Sequence, residues 1–346
     1  MSRRHSSPAP ATPLDREELL EEILLRLPPQ PSSLSRASLV CKQWRSVLSD
    51  ARFLSRFRKH HRKPPLLGFF VGKKLRGIPI FTPVLEPPDR IPSTRFSVPE
   101  SRTPDRSCIF SGCRHGLAVL VHPLQREIVV WDPLSGQQRH VAFPPGLDYK
   151  PVEQFQAAVL CADAEDGHVH GDCFLSPFKL VFICAVYTQT FGSLYNSVSG
   201  VWGNIVSVSF SVIEKPAHNH HVTNVFCFQL LRMEDGVLGL AVVSELTVQL
   251  WERKSNCDGF FKWMLLQKIT PLERMLPRGM PSDDTRVVLL GYDEDTHVIV
   301  MSMGFGKFIL QLESMQIRKI SEINDGALYM AFYPYTNFYT AGRGVG

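Results

Sequence analysis

The sequence lacks the features that mark membrane, secreted and catalytic proteins. It has no run of about 18 apolar residues, so no transmembrane helix is predicted. Its opening stretch, MSRRHSSPAPATP, has no apolar core, so we expect no secretory signal and predict a disordered arm over residues 1–13. It also contains no P-loop, no G-x-S-x-G and no H-E-x-x-H. We therefore predict no catalytic residues and no cofactor.

The eight cysteines are scattered and form no C-x-x-C pair. With no secretory signal, we expect reduced, buried thiols in a cytoplasmic or nuclear protein. His168, His170 and Cys173, in GHVHGDC, have side chains of metal-ligand type, and an extended segment would point both histidines to one side. No further pair of ligands stands at finger-like spacing, so we expect a hydrogen-bonded loop there and no metal.

Charge is distributed unevenly along the 346 residues. Residues 1–76 hold 16 basic and 6 acidic residues, whereas residues 77–346 hold 22 basic and 27 acidic ones. The basic run over 52–63 has no interleaved aromatic residues apart from Phe53 and Phe57, which have apolar helical spacing. We expect a solvated helix face there and no nucleic-acid binding, with a nuclear localisation role left open.

The stretch from Leu14 to Phe57 has helical periodicity. We predict a first helix ended by Pro28 and Pro29, a second helix through Leu48, and a third over about 51–61. Three short helices bury little surface by themselves. Periodicity alone leaves open whether their apolar stripes pack on one another or bind a partner.

The series L-x-x-E-I-L-x-R-L-P followed by S-L-x-R-A-S-L-V-C-K-x-W-R-x-x-L resembles an F-box. The resemblance implies docking on the Skp-type adaptor of a cullin-based ubiquitin ligase. One departure is Asp15, which stands where F-boxes usually have proline after the first leucine. The implied adaptor-binding residues are Leu14, Ile23, Leu24, Leu27, Pro28, Leu34, Val40, Cys41, Trp44 and Leu48, with Leu14, Leu24, Pro28 and Trp44 as anchors.

Residues 64–346 read as short apolar strands separated by glycine and proline. Trp131, Tyr187, Trp251 and Leu312 follow similar strands about 60 residues apart, which is typical of propeller blades. Segments such as VYTQTFGSLYNSVSGVWG resemble the β-rich domain that follows the F-box in many plant F-box proteins. Part of a blade is missing by comparison around Ser209–Ser211, so we expect an incomplete or distorted ring.

The predicted fold is therefore α+β and multidomain: a three-helix F-box over 14–63 followed by an all-β propeller-like domain over 64–346. We expect a non-catalytic adaptor that binds a Skp-type subunit and, through it, a cullin, and that captures an unknown target protein. Two alternatives stay open: a β-propeller receptor or enzyme with a helical appendage, and an F-box protein that has lost target capture.

Overall fold

A computed structural model of the 346-residue chain shows a helical unit followed by a β-propeller. It describes residues 17–73, 78–99, 108–147, 154–162, 176–187, 189–209, 213–216, 227–233, 236–244, 246–255, 261–269, 272, 287–303, 306–321 and 330–339. The predicted arm over 1–13, together with Leu14 and Asp15, lies outside these ranges. Within them, no helix is long and apolar enough to cross a membrane.

The described part of the helical unit contains four helices, one more than predicted. They are α1 (Glu17–Leu25), α2 (Pro31–Ala37), α3 (Lys42–Ser49) and α4 (Ala51–His61). The predicted second helix is divided by an extended residue, Cys41, at φ −159° and ψ 173°. Just before it, the Ser38 hydroxyl donates to the Ser35 carbonyl oxygen at 2.6 Å. Such local side-chain bonds compete with helix propagation, which accounts for the break without glycine or proline.

The propeller consists of five sheets within the described residues. The strands are β1 (Leu66–Lys73), β2 (Ile80–Pro83), β3 (Ile109–Arg114), β4 (Leu117–His122), β5 (Glu127–Trp131), β6 (Gln138–Ala142), β7 (Gln154–Cys161), β8 (Phe178–Val186), β9 (Gln189–Asn196), β10 (Val201–Trp202), β11 (Val206–Ser207), β12 (Phe228–Arg232), β13 (Leu238–Ser244), β14 (Thr247–Ser255), β15 (Phe261–Ile269), β16 (Val288–Asp293), β17 (Val298–Met303), β18 (Gly306–Gln311), β19 (Gln316–Ser321) and β20 (Met330–Thr336).

Three sheets are plain four-stranded meanders, β3–β6, β12–β15 and β16–β19. A three-stranded sheet has the order β2-β1-β20, so it joins the first propeller strands to the last. One end strand of each sheet contacts an end strand of a neighbouring sheet, and we call these five strands, β3, β7, β12, β16 and β20, the leading strands. They contact each other at four junctions: β20 with β3, β3 with β7, β12 with β16, and β16 with β20. The propeller prediction is confirmed, with five blades arranged around the leading strands.

Within the described residues, apolar side chains fill four of the spaces between neighbouring sheets. Phe70 packs with Trp131 between the first two sheets, their ring centroids 5.6 Å apart. Met301 and Leu250 belong to the core between the last two four-stranded sheets. The continuous cores follow from blade stacking, since one sheet cannot bury both of its own faces.

The predicted repeat was right in period and only partly right in register. Trp131 and Trp251 lie in the third strands of their sheets, and Leu312 directly follows a third strand. Tyr187 instead lies in the turn after β8, the second strand of its sheet, where it is exposed. Its position in the repeat was therefore wrong by one strand.

The sheet where a missing piece was expected has a divided outer strand. Two-residue strands β10 and β11 both pair with β9, at Trp202↔Tyr195 and Val206↔Gly192. Residues 210–212 lie outside the described ranges, and Ser209 is the last residue described before them. The outer position of this blade is filled by two short pieces.

The C-terminal segment joins the helical unit to the propeller. β20 pairs with β1 along its length, and Phe338 then enters the core of the helices, where its ring centroid lies 6.4 Å from that of Phe57. The backbone N–H of Ser32 also donates to Asp89 Oδ1 at 2.9 Å. The helical unit therefore gains the additional burial that its small size requires.

Candidate functional site

The helical unit uses part of its predicted adaptor-binding set to build its own core. Leu24, Leu34 and Leu48 are buried together with Leu20, Phe53 and Phe57. Leu27 and Trp44 are half-buried against the same cluster. These five predicted residues hold the helices in their relative positions.

The other described members of the set lie at the surface. Ile23 and Val40 are 41% and 62% exposed, and Pro28 and Cys41 are exposed as well. Leu14, the remaining predicted anchor, lies outside the described residues.

Two further apolar residues beside this set were not predicted as site residues. Leu19 is 43% exposed and stands four residues before Ile23, so both project from one side of α1. Leu39 is 75% exposed beside Val40, in the turn between α2 and α3. Leu39 was not predicted as a site residue because the sequence predicts one continuous second helix, whereas the structure places this residue in a turn.

Polar contacts fix the orientation of the helices. Asp50 Oδ1 accepts hydrogen bonds from the backbone N–H groups of Arg52 and Phe53 at 2.8 and 3.0 Å, which caps α4. Arg56 on α4 pairs with Glu21 and Glu22 on α1. The exposed apolar pairs are thus presented on a defined scaffold.

A second cluster of functional side chains lies at the end of the propeller channel nearest the helical unit. The leading strands β3, β16 and β20 end there and continue into Arg114–Gly116, Glu294–Asp295 and Thr336–Asn337. Gly116, at φ +76°, packs so closely that a Cβ atom would lie 2.6 Å from Asn337 Nδ2. We call His115, Arg114, Asp293, Glu294 and Asp295 the channel-mouth cluster.

Opposite charges face one another in the channel-mouth cluster. Arg114 binds Glu294 through two nitrogens, with Nη2 2.8 Å from Oε2. His115 is buried between two carboxylates, its Nε2 3.9 Å from Glu294 Oε1 and its Nδ1 3.8 Å from Asp295 Oδ1. Asp295 Oδ2 also accepts a hydrogen bond from the Thr336 hydroxyl at 3.3 Å.

Burial changes the acidity of this cluster. It raises the pKa of Asp293 to about 6, against hydrogen bonds from Thr296 that favour the charged form. It raises the pKa of Asp295 to about 7, and the charges of Asp293 and Glu294 add to the shift. Burial likewise raises the pKa of the Tyr292 phenol to about 12. These directions follow from the cost of a charge in a poorly solvated site.

His115, Glu294 and Asp295 offer ligand atoms within 4.8 Å of one another. Arg114 already supplies positive charge to Glu294 and occupies both of its oxygens. The arrangement therefore acts as an electrostatic clamp between the sheets that contain β3 and β16. Nothing in the sequence indicated it, because the cluster joins residues 180 positions apart, which meet where β3 and β16 both lie beside β20.

His168, His170 and Cys173 lie outside the described residues. Cys108 and Cys113 are both free thiols, and burial raises the pKa of each. A raised thiol pKa disfavours the reactive thiolate form.

Comparison with known proteins gives two family matches. Residues 17–59 match the family described as F-box-like, and residues 200–340 match the family described as F-box protein AT5G49610-like, beta-propeller. No curated protein matches the chain. The crystal structure of the WD40 domain of SCAP from fission yeast aligns with 60% of this chain at 8% identity and a TM-score of 0.24, too low to show a shared fold. The chain spans 39% of the length of that structure.

Proposed function

We propose that this chain is a plant-type F-box protein with a β-propeller and serves as the target-recruiting subunit of a Skp–cullin–F-box ubiquitin ligase. The observation that carries the proposal is the presence on one chain of an F-box-like unit and the propeller of an F-box protein family. The helical unit docks on the Skp-type adaptor, and through it on a cullin, while the propeller holds a target protein.

The exposed apolar side chains of the helical unit are the proposed docking contacts. Leu19, Ile23, Leu39 and Val40 remain outside its core, and burying each of them on a partner is worth about 2 kcal/mol. Pro28 and Cys41 border them at the surface, and Leu14 stays a predicted contact. Four such side chains together supply about 8 kcal/mol, which is within the range of association costs of about 4–15 kcal/mol.

The buried members of the predicted set have a different role in this proposal. Leu24, Leu34 and Leu48 shape the docking unit from inside, and Leu27 and Trp44 are positioned to serve both its core and its surface. Replacing a buried member weakens adaptor binding indirectly, by unfolding the unit.

Catalysis belongs to other subunits in this proposal. The chain raises the local concentration of the target near the ubiquitin carrier. Within the described residues, apolar cores join the five sheets at four junctions, which supports a folded target-binding body over the alternative in which target capture has been lost.

The receptor or enzyme alternative receives less support. The cavity at the channel-mouth cluster has a volume of about 190 Å³, below the usual range for small-molecule pockets. Its carboxylates are engaged by Arg114, Thr296 and Thr336. These contacts fit a structural clamp better than a catalytic site.

The test is calorimetric titration of the full-length chain with a recombinant Skp-type adaptor. We expect Ile23→Asp and Val40→Asp each to weaken binding about 30-fold or more, because each loses apolar burial and places a charge in the interface. Val198→Asp is the matched control, since Val198 is 72% exposed on the propeller and should leave the affinity unchanged. Absence of binding by the folded wild-type chain, or unchanged affinity in both variants, would contradict the proposal.

A further inference from the structure

We propose that β15 and the cleft at its start bind an extended segment of the target that carries acidic residues next to apolar ones. This inference rests on the proposed recruiting function and specifies the chemistry of the recruited segment. The site consists of an exposed sheet edge, an apolar cleft and a group of basic side chains.

The first observation is an outer strand with exposed apolar side chains, contacted outside its own sheet through the Trp263 indole N–H, which donates to the Glu214 carbonyl oxygen at 2.7 Å. β15 is the outer strand of its sheet and, within the described residues, pairs with β14 alone. Phe261, Met264, Leu265 and Leu266 are 60%, 52%, 45% and 48% exposed along it. A long apolar edge strand offers unpaired backbone groups to another extended chain.

Other outer strands of the propeller are protected against such pairing. β6 is five residues long and reads QRHVA, and β19 is six residues long and reads QIRKIS. β15 has nine residues with a continuous apolar centre, FKWMLLQKI. Short, charged edge strands are a usual means of preventing strand addition. β15 is longer and more apolar than β6 and β19, as expected of a strand that pairs with another chain.

The second observation is a cleft of about 350 Å³ at the start of β15. Val237, Leu238 and Phe261 give it apolar walls, while Arg253 and Lys254 contribute positive charge. The Arg253 guanidinium carbon lies 4.5 Å from the centre of the Phe261 ring. A guanidinium stacked in this way keeps its N–H edge available for a carboxylate.

The third observation is the sign of the charge. β14 and β15 together carry four basic residues and one acidic residue, although acidic residues predominate in residues 77–346 as a whole. Lys254 stands directly opposite Lys262 in the strand register, and Lys254 Nζ is 2.7 Å from Glu252 Oε2. Like charges facing across a ladder are destabilising, so an incoming carboxylate would lower the free energy of this pair.

The charge also argues against a second copy of the chain as the occupant. Pairing two β15 strands would bring two hairpins with an excess of positive charge together. An acidic segment meets the same edge with favourable electrostatics. The described contacts of the helical unit with the propeller involve Asp89, Glu313 and Phe338, which lie outside the β12–β15 sheet, so a target segment leaves the adaptor surface free.

The experiment measures fluorescence anisotropy of labelled ten-residue peptides with the full-length chain. The first probe carries two glutamates followed by alternating leucine and serine, and the second has lysines in place of the glutamates. We expect the glutamate probe to bind about tenfold or more tightly than the lysine probe. Two further glutamate probes carry N-methyl groups on alternate backbone nitrogens. One probe has the odd-numbered nitrogens methylated and the other has the even-numbered ones, so each blocks the N–H groups along one edge of the extended peptide. Strand addition predicts that one register abolishes binding and the other preserves it.

Charge-reversed variants locate the site. Arg253→Glu and Lys262→Glu should each weaken the glutamate probe about tenfold and favour the lysine probe. Lys179→Glu, at an exposed position of β8, is the matched control and should bind as the wild type does.

Several outcomes would overturn the inference. They are no binding of the glutamate probe at about 1 mM, equal binding of both charge types, or equal tolerance of both N-methyl registers. A concentration-dependent dimer that buries Phe261 and Leu265 would assign the edge to a second copy instead. Each result is separate from the adaptor titration, which depends on α1 and the turn between α2 and α3.

Discussion

The helical unit and the β14–β15 hairpin both expose apolar side chains, but they do so in different settings. In α1, the exposed Leu19 and Ile23 alternate with the fully buried Leu20 and Leu24. In the hairpin, the exposed residues from Met264 to Leu266 form a run beyond the sheet's own core and stand close to basic side chains. In α1 the exposed residues lie next to core residues in the sequence. In the hairpin they form a separate run outside the core.

This difference has a consequence for how each surface responds to mutation. A helix of 3.6 residues per turn places core and partner positions next to each other in the sequence, so neighbouring substitutions in α1 have unlike effects. An edge strand contributes little to the sheet core, so its substitutions change binding more than folding. The channel-mouth cluster is a third case, in which charged groups connect the sheets that contain β3 and β16.

The largest expected effect is on the core side of α1. Leu24→Ala should lower the free energy of unfolding of the helical unit by about 3 kcal/mol, because Leu24 is fully buried and its loss leaves a cavity. Urea denaturation followed by circular dichroism measures the change. The neighbouring Ile23→Ala is the control and should cost less than about 1 kcal/mol. Equal losses in the two variants would contradict the division of α1 into two faces.

The next effect is the pH dependence of the channel-mouth cluster. The pKa of Asp295 is raised from 3.8 to about 7, so between these values the folded chain retains a proton that the unfolded chain has lost. Its contribution to stability is fully present at acidic pH and is lost as pH rises through about 7.

Asp295→Asn removes that titration. The charged and titratable groups facing Asp295 are His115, Arg114, Asp293 and Glu294, and all are retained in the variant. The free energy of unfolding of the variant minus that of the wild type should increase by roughly 2 kcal/mol from pH 5 to pH 8, because only the wild type loses the stabilising proton. Guanidinium denaturation at four pH values provides the measurement, and a constant difference across them would refute the assignment.

A smaller effect is expected on the partner side of α1. Leu19→Ser should weaken adaptor binding about tenfold through lost apolar burial, while changing the free energy of unfolding by less than about 0.5 kcal/mol. Calorimetric titration and thermal denaturation of the same sample separate the two quantities. A matching loss of stability would place Leu19 in the core.

The smallest effect concerns the hairpin. Lys262→Glu replaces a like-charged pair with Lys254 by an opposite pair across the ladder, so the variant should be more stable by about 0.5 kcal/mol. Denaturation at low and high salt measures it, and the gain should shrink at high salt because exposed charges are screened. A destabilised variant would mean that Lys262 has a structural role.

The sequence was most informative where periodicity and family pattern coincide. The predicted helix over 51–61 matches α4, and the apolar runs around β4, β8 and β17 were all recognised as strands. The division of the second helix was missed because it depends on a Ser38 side-chain bond. β15 was missed because a strand exposed on both faces shows no alternation. The channel-mouth cluster could not be predicted from the sequence, because it is formed by strands that are far apart in the chain.

Phe338 ties the order of synthesis to the order of assembly. A ribosome delivers α1 to α4 first and Phe338 only after β20, the strand that pairs with β1. Until then the helices lack one of the side chains of their own core. The core of the helical unit and the sheet that contains β1 are therefore both completed only after β20 has been synthesised.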